Sequence, residues 1–182
     1  PRLTRVHEQA FVNRPAYLER AVQRSRLYLF HIVEEVEKRG MPMEIRPITA
    51  DDFSLVEPML AAYQEFYEVE DIDPERNRDF FSRFIGSNHS GWLLGAWDSD
   101  ALVGFGCFYR HKSSLTATNI VLMNDLYVDE VARGKGAGRA LIEAGVELAR
   151  EWGASHLAWA TAPDNHTAQK LYDSFDVEKG TW

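Results

Sequence analysis

Apolar residues along the chain recur with two kinds of spacing, and each kind marks out its own stretches. From residue 15 to 39, Leu18, Val22, Leu29, Ile32, Val33 and Val36 fall at roughly helical intervals, with Pro15 suited to a first turn and Gly40 to a C-terminal cap. The pattern predicts one long helix. Gly40-Met41-Pro42 interrupts it, and Met43-Glu44-Ile45-Arg46-Pro47-Ile48 then alternates like a strand. That break sets the expected boundary between an N-terminal helical appendage, residues 1–42, and a larger domain, residues 43–182. Thr49-Ala50-Asp51-Asp52 reads as the cap of a helix carrying Phe53, Val56, Leu60, Tyr63 and Tyr67, and Asp73-Pro74 opens a second helix through Phe84. Residues 92–97, 101–109 and 119–128 read as three consecutive strands, an antiparallel meander. Leu141, Ile142, Val146 and Leu148 mark a helix to about Trp152, residues 156–161 a strand, and residues 164–175 a last helix. From Met43 the predicted order is βααβββαβα, an α/β arrangement.

Composition narrows the class. The 182 residues suffice for one ordinary domain with an appendage, and 45% hydrophobic with 26% charged residues is a globular balance. No apolar run approaches the roughly 18–20 residues of a membrane span, and no charged patch leads into an apolar stretch as in a secretory signal. A single cysteine, Cys107, excludes an internal disulfide, and no His/Cys cluster has zinc spacing, so no metal is expected and a reducing cytoplasm fits best. Charge divides at the predicted boundary. Residues 1–42 carry 8 Lys/Arg against 5 Asp/Glu, and residues 43–182 carry 12 against 23. So acidic a domain is a poor partner for nucleic acid and suits a cationic small molecule or a basic peptide.

The densest chemistry lies at residues 133–140, Arg-Gly-Lys-Gly-Ala-Gly-Arg-Ala, between a predicted strand and a predicted helix. Glycines lack the Cβ that would hold a phosphate away, successive backbone N–H groups can converge, and a helix N-terminus adds positive partial charge. The stretch should hold a pyrophosphate. It is not a Walker loop, which needs Gly-Lys-Ser/Thr where this chain has Gly134-Lys135-Gly136. Nor does it sit as a Rossmann loop does, after the first strand of a parallel βαβ unit.

Leu126-Tyr127-Val128-Asp129 followed by Arg133-Gly134-Lys135-Gly136-Ala137-Gly138 resembles the acetyl-CoA motif of the GNAT superfamily of N-acetyltransferases, whose central pattern is Arg/Gln-x-x-Gly-x-Gly/Ala. Asn165-His166-Thr167-Ala168-Gln169-Lys170-Leu171-Tyr172 resembles that family's next motif, and the predicted element order agrees from Met43 onward. Within the family, Asn124-Asp125-Leu126-Tyr127-Val128 looks most like the polyamine or diamine acetyltransferases and the yeast histone and polyamine acetyltransferases. The resemblance implies a mixed, largely antiparallel sheet flanked by helices. It also implies acetyl-CoA as cofactor and direct acetyl transfer to an amine, with no acyl-enzyme. Cys107 is then a small core residue. The alternative is a catalytically weak acetyl-CoA-binding module.

On this resemblance the amides from Gly134 to Arg139 bind the pyrophosphate, helped by the cations of Arg133, Lys135 and Arg139. Backbone groups of Leu126, Tyr127 and Val128 meet the pantetheine arm and acetyl oxygen, and Asn165 anchors the pantetheine or serves as a helix cap. Tyr172 is the expected general acid. Asp125 is the expected proton acceptor, beside Asn124, an amide where the polyamine branch has an acid. Tyr63 and Tyr67, with Glu68 among the nearby carboxylates, are the expected contacts for a small amine, or else part of the core.

Residues 24–44 locally resemble the helix that precedes the catalytic core of membrane-bound lytic murein transglycosylases of the D type, but lead into Ile45-Arg46-Pro47-Ile48 and not the catalytic Glu-Ser pair. A docking or dimer helix is the role expected of them. Where the family continues into a closing strand, this chain stops at Trp182; a bare sheet edge there favours a homodimer.

Overall fold

The computed structural model describes residues 26–31, 43–87 and 90–181. Its strands are β1 (Arg26–His31), β2 (Glu44–Pro47), β3 (Gly91–Asp98), β4 (Ala101–Ser113), β5 (Thr118–Val128), β6 (His156–Thr161) and β7 (Glu178–Thr181). Its helices are α1 (Phe53–Phe66), α2 (Pro74–Phe81), α3 (Ala137–Glu151) and α4 (His166–Tyr172), with short 3-10 turns at Ser82–Phe84 and Glu130–Ala132. From β2 to α4 the order is the predicted βααβββαβα. The strands form one sheet in the order β2-β3-β4-β5-β6-β1-β7, antiparallel throughout except where β5 meets β6.

Each face of the sheet carries its own core, because strand side chains alternate and both faces are covered. On one face α3 lays Leu141, Ile142 and Val146 against Leu94, Phe108, Val121, Leu157 and Trp159. On the other, Phe53, Val56 and Leu60 of α1, with Phe81 and Phe84 beyond it, cover Leu93, Trp97, Phe105 and Cys107. Cys107 is fully buried, as a small core residue should be. Burial of each large side chain contributes roughly 1.5–3 kcal/mol, so these layers fix where β5, α1 and α4 stand around the site.

The N-terminal expectation needs correction. Residues 26–31, placed inside the predicted helix 15–39, form a strand antiparallel to both β6 and β7; the remainder of that helix lies outside the described residues. Arg-Leu-Tyr-Leu-Phe-His is rich in aromatics and fits a period of two as readily as a helical turn. A long-range partner decides between them, because β6 offers a row of backbone groups that a strand satisfies and a helix cannot. The bare edge beside β6 is therefore filled by β1, which removes the reason given above for expecting a homodimer.

Two irregularities shape the middle of the sheet. Phe108 lies opposite Met123 but Cys107 lies opposite Asp125, so Asn124 is an extra, bulged residue in β5. β5 and β6 pair only at Val121–Leu157 and Leu122–Ala158. Beyond that point the two strands part.

Candidate active site

Where β5 and β6 separate they leave a cleft of about 570 Å³. Its walls are Met123, Asn124, Leu126, Tyr127 and Val128 from β5, Trp159, Ala160 and Thr161 from β6, the turn from Ala132 to Arg139, the α4 segment from Asn165 to Tyr172, and Tyr63, Phe66 and Tyr67 from α1. Beyond Leu122 the β6-facing edge of β5 has no ladder partner among the described residues, and there the Val128 carbonyl accepts from Arg133 instead.

The glycine turn forms the deep end. Gly134 and Gly136 have φ of 77° and 95°, a region in which a side chain is strained, and a Cβ at either would meet nothing within 4 Å. Open space over bare backbone is what an anion needs. Gly136 is the N-cap of α3, the Ala140 amide already bonds to its carbonyl at 2.9 Å, and among the described residues the amides from Gly134 to Arg139 donate to no protein acceptor. These unpaired donors and the helix's positive end face the cleft together. Gly138 packs so closely on α4 that a Cβ would lie 3.0 Å from Leu171 Cδ2.

The cations divide. Arg133 lines the cleft and folds back so that its Nε donates to the Val128 carbonyl at 3.1 Å. Arg139 lines it too, while donating to Ser174 Oγ at 2.7 Å and lying 4.3 Å over the Phe175 ring, which ties the start of α3 to the end of α4. Lys135 turns away, 3.8 Å from Asp98, and is not part of the wall. Lys170, which the sequence reading missed, is. Among the described residues lining the cleft there is no carboxylate: Glu68 is exposed outside it, and Asp125 is buried behind it.

Tyr172 is 5% exposed, lines the cleft, and tilts against the buried Trp159 ring at 5.3 Å. Asn165 also lines it and caps α4, its Oδ1 accepting from the Ala168 amide at 3.1 Å, so the cap itself stands in the cleft wall. The bulge at Asn124 turns Asp125 toward α1, where Asn124 Nδ2 donates to its Oδ1 at 3.0 Å and the Tyr63 phenol interacts with it. Burial pushes the Asp125 carboxyl above its ordinary range, against the opposing effects of Asn124 and Tyr63. Burial likewise raises Tyr63 and, with a smaller opposing effect from Tyr63, Tyr67, whose hydroxyl also interacts with Asn165. Tyr63 sits edge-on to Tyr67 at 5.0 Å and to Tyr127 at 6.5 Å.

The sheet is thus split between its fourth and fifth core strands, with the glycine turn and the start of α3 in the wall of the split. The chain belongs to the acetyltransferase (GNAT) family, whose model matches residues 56–176. It is 39% identical over 112 residues to the D-amino-acid N-acetyltransferase HPA3 of Saccharomyces cerevisiae, a match covering 60% of this chain and 69% of that protein. It is 31% identical over 140 residues to the uncharacterized N-acetyltransferase YhfO of Bacillus subtilis, covering 76% and 92%. Among solved structures, a probable acetyltransferase superposes with a TM-score of 0.68 at 30% identity over 76% of this chain and 92% of that one. AAC(6')-Iy in complex with a bisubstrate analog, CoA-S-monomethyl-acetylneamine, shares the fold with a TM-score of 0.67 at 16% identity, over 78% and 94%.

Proposed function

We propose that this protein transfers the acetyl group of acetyl-CoA to the nitrogen of a small primary amine, by direct attack with both substrates held in the cleft. The observation that carries this reading is the run of unpaired amides from Gly134 to Arg139, all but Lys135 belonging to residues that line the cleft, with Arg133 in the same wall. They suit a diphosphate in charge and in donor geometry. Acetyl-CoA supplies the activated thioester, and the protein supplies position, polarisation and proton transfer.

The amides hold the diphosphate, with Lys170 adding positive charge along the same wall. Lys135, paired toward Asp98, contributes only to the field. The Leu126–Val128 stretch, on the edge of β5 that β6 leaves uncovered, orients the pantetheine arm and polarises the acetyl oxygen, and Asn165 fixes the arm from the other side. Tyr172 donates a proton to the departing sulfur: a thiol of pKa about 8.5 leaves as thiolate, and a phenol of pKa about 10 beside it can supply the proton. Asp125 receives the proton lost by the amine. Tyr63, Phe66 and Tyr67 form the acceptor wall, suited to an organic cation through their ring faces, with Asn124 at its edge and Glu68 acting at longer range from outside. A lone buried cysteine fits a reducing cytoplasm.

Thiol release from acetyl-CoA with a panel of primary amines tests the reading, alongside calorimetry with coenzyme A. Amine-dependent release supports it. Tight coenzyme binding with no release for any amine points instead to a binding module. Tyr172→Phe should lower kcat about 10²-fold while leaving the affinity for acetyl-CoA nearly unchanged; equal rates would remove Tyr172 as the acid.

A further inference from the structure

The acceptor wall of the cleft stands on the last turns of α1, and those turns have little apolar anchorage of their own. The buried side chains of α1 are Phe53, Val56, Met59 and Leu60. Beyond Leu60, Tyr63 reaches the core as a partly buried ring, while Phe66 and Tyr67 are exposed. Pro58 lies inside the helix, where it has no N–H to give to the Ser54 carbonyl. The helix is therefore weakened between its anchored half and the half that carries the wall.

α2 supplies a second hold. Asn77, 5% exposed, meets Gln64 in a reciprocal amide pair: Gln64 Nε2 donates to Asn77 Oδ1 at 2.9 Å, and Asn77 Nδ2 donates to Gln64 Oε1 at 2.7 Å. Two turns earlier on the same face of α1, Glu57 accepts from Arg78 Nε at 3.1 Å and from Arg78 Nη2 at 2.7 Å. Arg78 is exposed, so water competes for that pair. Asn77 is buried, and parting it from Gln64 would leave a donor and an acceptor unsatisfied inside the protein. Gln64 is also where α1 ends. Its carbonyl accepts from the Tyr67 amide at 3.1 Å and from the Val69 amide at 3.1 Å, while the Glu68 amide donates to the Glu65 carbonyl at 2.9 Å and Glu68 takes a left-handed φ of 56°. One residue thus grips α2 with its side chain and closes the helix at Tyr67 with its backbone.

We infer that Asn77 is a positioning residue for the amine acceptor: through Gln64 it holds the end of α1, and with it Tyr63, Phe66 and Tyr67, at a set distance from the uncovered edge of β5. An apolar contact would let the two helices slide, whereas two opposed amide hydrogen bonds fix both distance and direction. The effect falls on one substrate. Neither Gln64 nor Asn77 lines the cleft, and among the described residues α2 contributes nothing to its wall. The proposed coenzyme side is built by the glycine turn, α3 and α4, which this pair does not touch. The width of the acceptor side is therefore set from outside it, by groups that never meet the amine.

The inference rests on the proposed acetyl transfer and separates from it experimentally. KM for the amine and KM for acetyl-CoA are measured by thiol release for the wild type, Asn77→Ala, Gln64→Ala and the double variant, with a series of primary amines from ethylamine to 2-phenylethylamine. For the amines that the wild type acetylates, Asn77→Ala should raise the amine KM about tenfold and change KM for acetyl-CoA by less than about twofold. Gln64→Ala should do the same, and it carries the test if Asn77→Ala does not fold. The double variant should be no worse than the more impaired single variant, because either change removes the whole pair. An unchanged amine KM in the folded variants overturns the inference. So does an equal rise in both KM values or a fall in kcat alone, the signs of general loosening, and so do single effects that multiply in the double variant. A wild type that releases no thiol with any amine removes the acetyl-transfer reading itself, and the inference with it.

Discussion

In the proposed reaction Asp125 sets stability against chemistry at a single position. Unfolded, its carboxyl has an ordinary pKa near 3.9; folded, burial raises it. Between those two values the native state binds the proton more tightly than the unfolded chain, so stability falls as pH rises through the window. Asp125→Asn removes the titrating group. In thermal melts from pH 4 to 8 the variant should gain Tm over the wild type toward the alkaline end, with the gain shrinking as pH falls, while transfer to an ordinary amine drops. The family resemblance pointed to Asp125, at the end of a predicted strand just before Leu126. It could not place the side chain behind Tyr63, since that depends on the extra residue at Asn124, and a bulge leaves no mark in a pattern of alternation. Tyr63 and Tyr67 were legible as an aromatic stripe that could be core or acceptor wall. Tyr63 packs against Phe105 and also lines the cleft, so its ring belongs to the core and to the cleft wall at once.

At the scale of elements, the turn into α3 was the most legible feature of the chain. Alternating glycines between a strand and an amphipathic helix call for a turn that side chains cannot follow, and the structure has Gly134 and Gly136 in conformations that side chains avoid; the anion cradle is the role proposed for it. Gly136→Ala should strain the N-cap by about 1 kcal/mol and redirect the amides, although no atom stands in the way of the new methyl. Calorimetry should then show coenzyme A affinity falling at least about tenfold with helix content by circular dichroism preserved; an unchanged affinity would mean that this glycine does not shape the cradle. Less legible were the directions of the side chains on that turn. Three cations in eight residues look equivalent, but the backbone turns Lys135 toward Asp98 and Arg139 toward Ser174. Lys170 went unremarked because a helical lysine carries no signal until α4 is docked beside β6.

For the molecule as a whole, the N-terminal residues are where sequence and structure part most. Their apolar spacing resembles a helix, and a domain boundary after residue 42 follows from that; the strand at 26–31 becomes visible only once β6 and β7 stand in place to receive it. Local periodicity cannot report a partner that lies at the far end of the chain. Deleting residues 1–42 should therefore do more than trim an appendage. It should lower Tm, release β7 from the sheet and expose the edge of β6, giving self-association visible by size-exclusion chromatography. An unchanged Tm and a monomeric profile would show that β1 is dispensable. The same arrangement constrains the order of events at the ribosome. Arg26 is made long before Thr161 and Thr181, with which it pairs, so β1 must wait, unpaired, until β6 and β7 have been synthesised. This edge of the sheet can be completed only after translation has passed β6, which makes its closure a late, non-local step and leaves the nascent chain dependent on whatever shields that strand meanwhile.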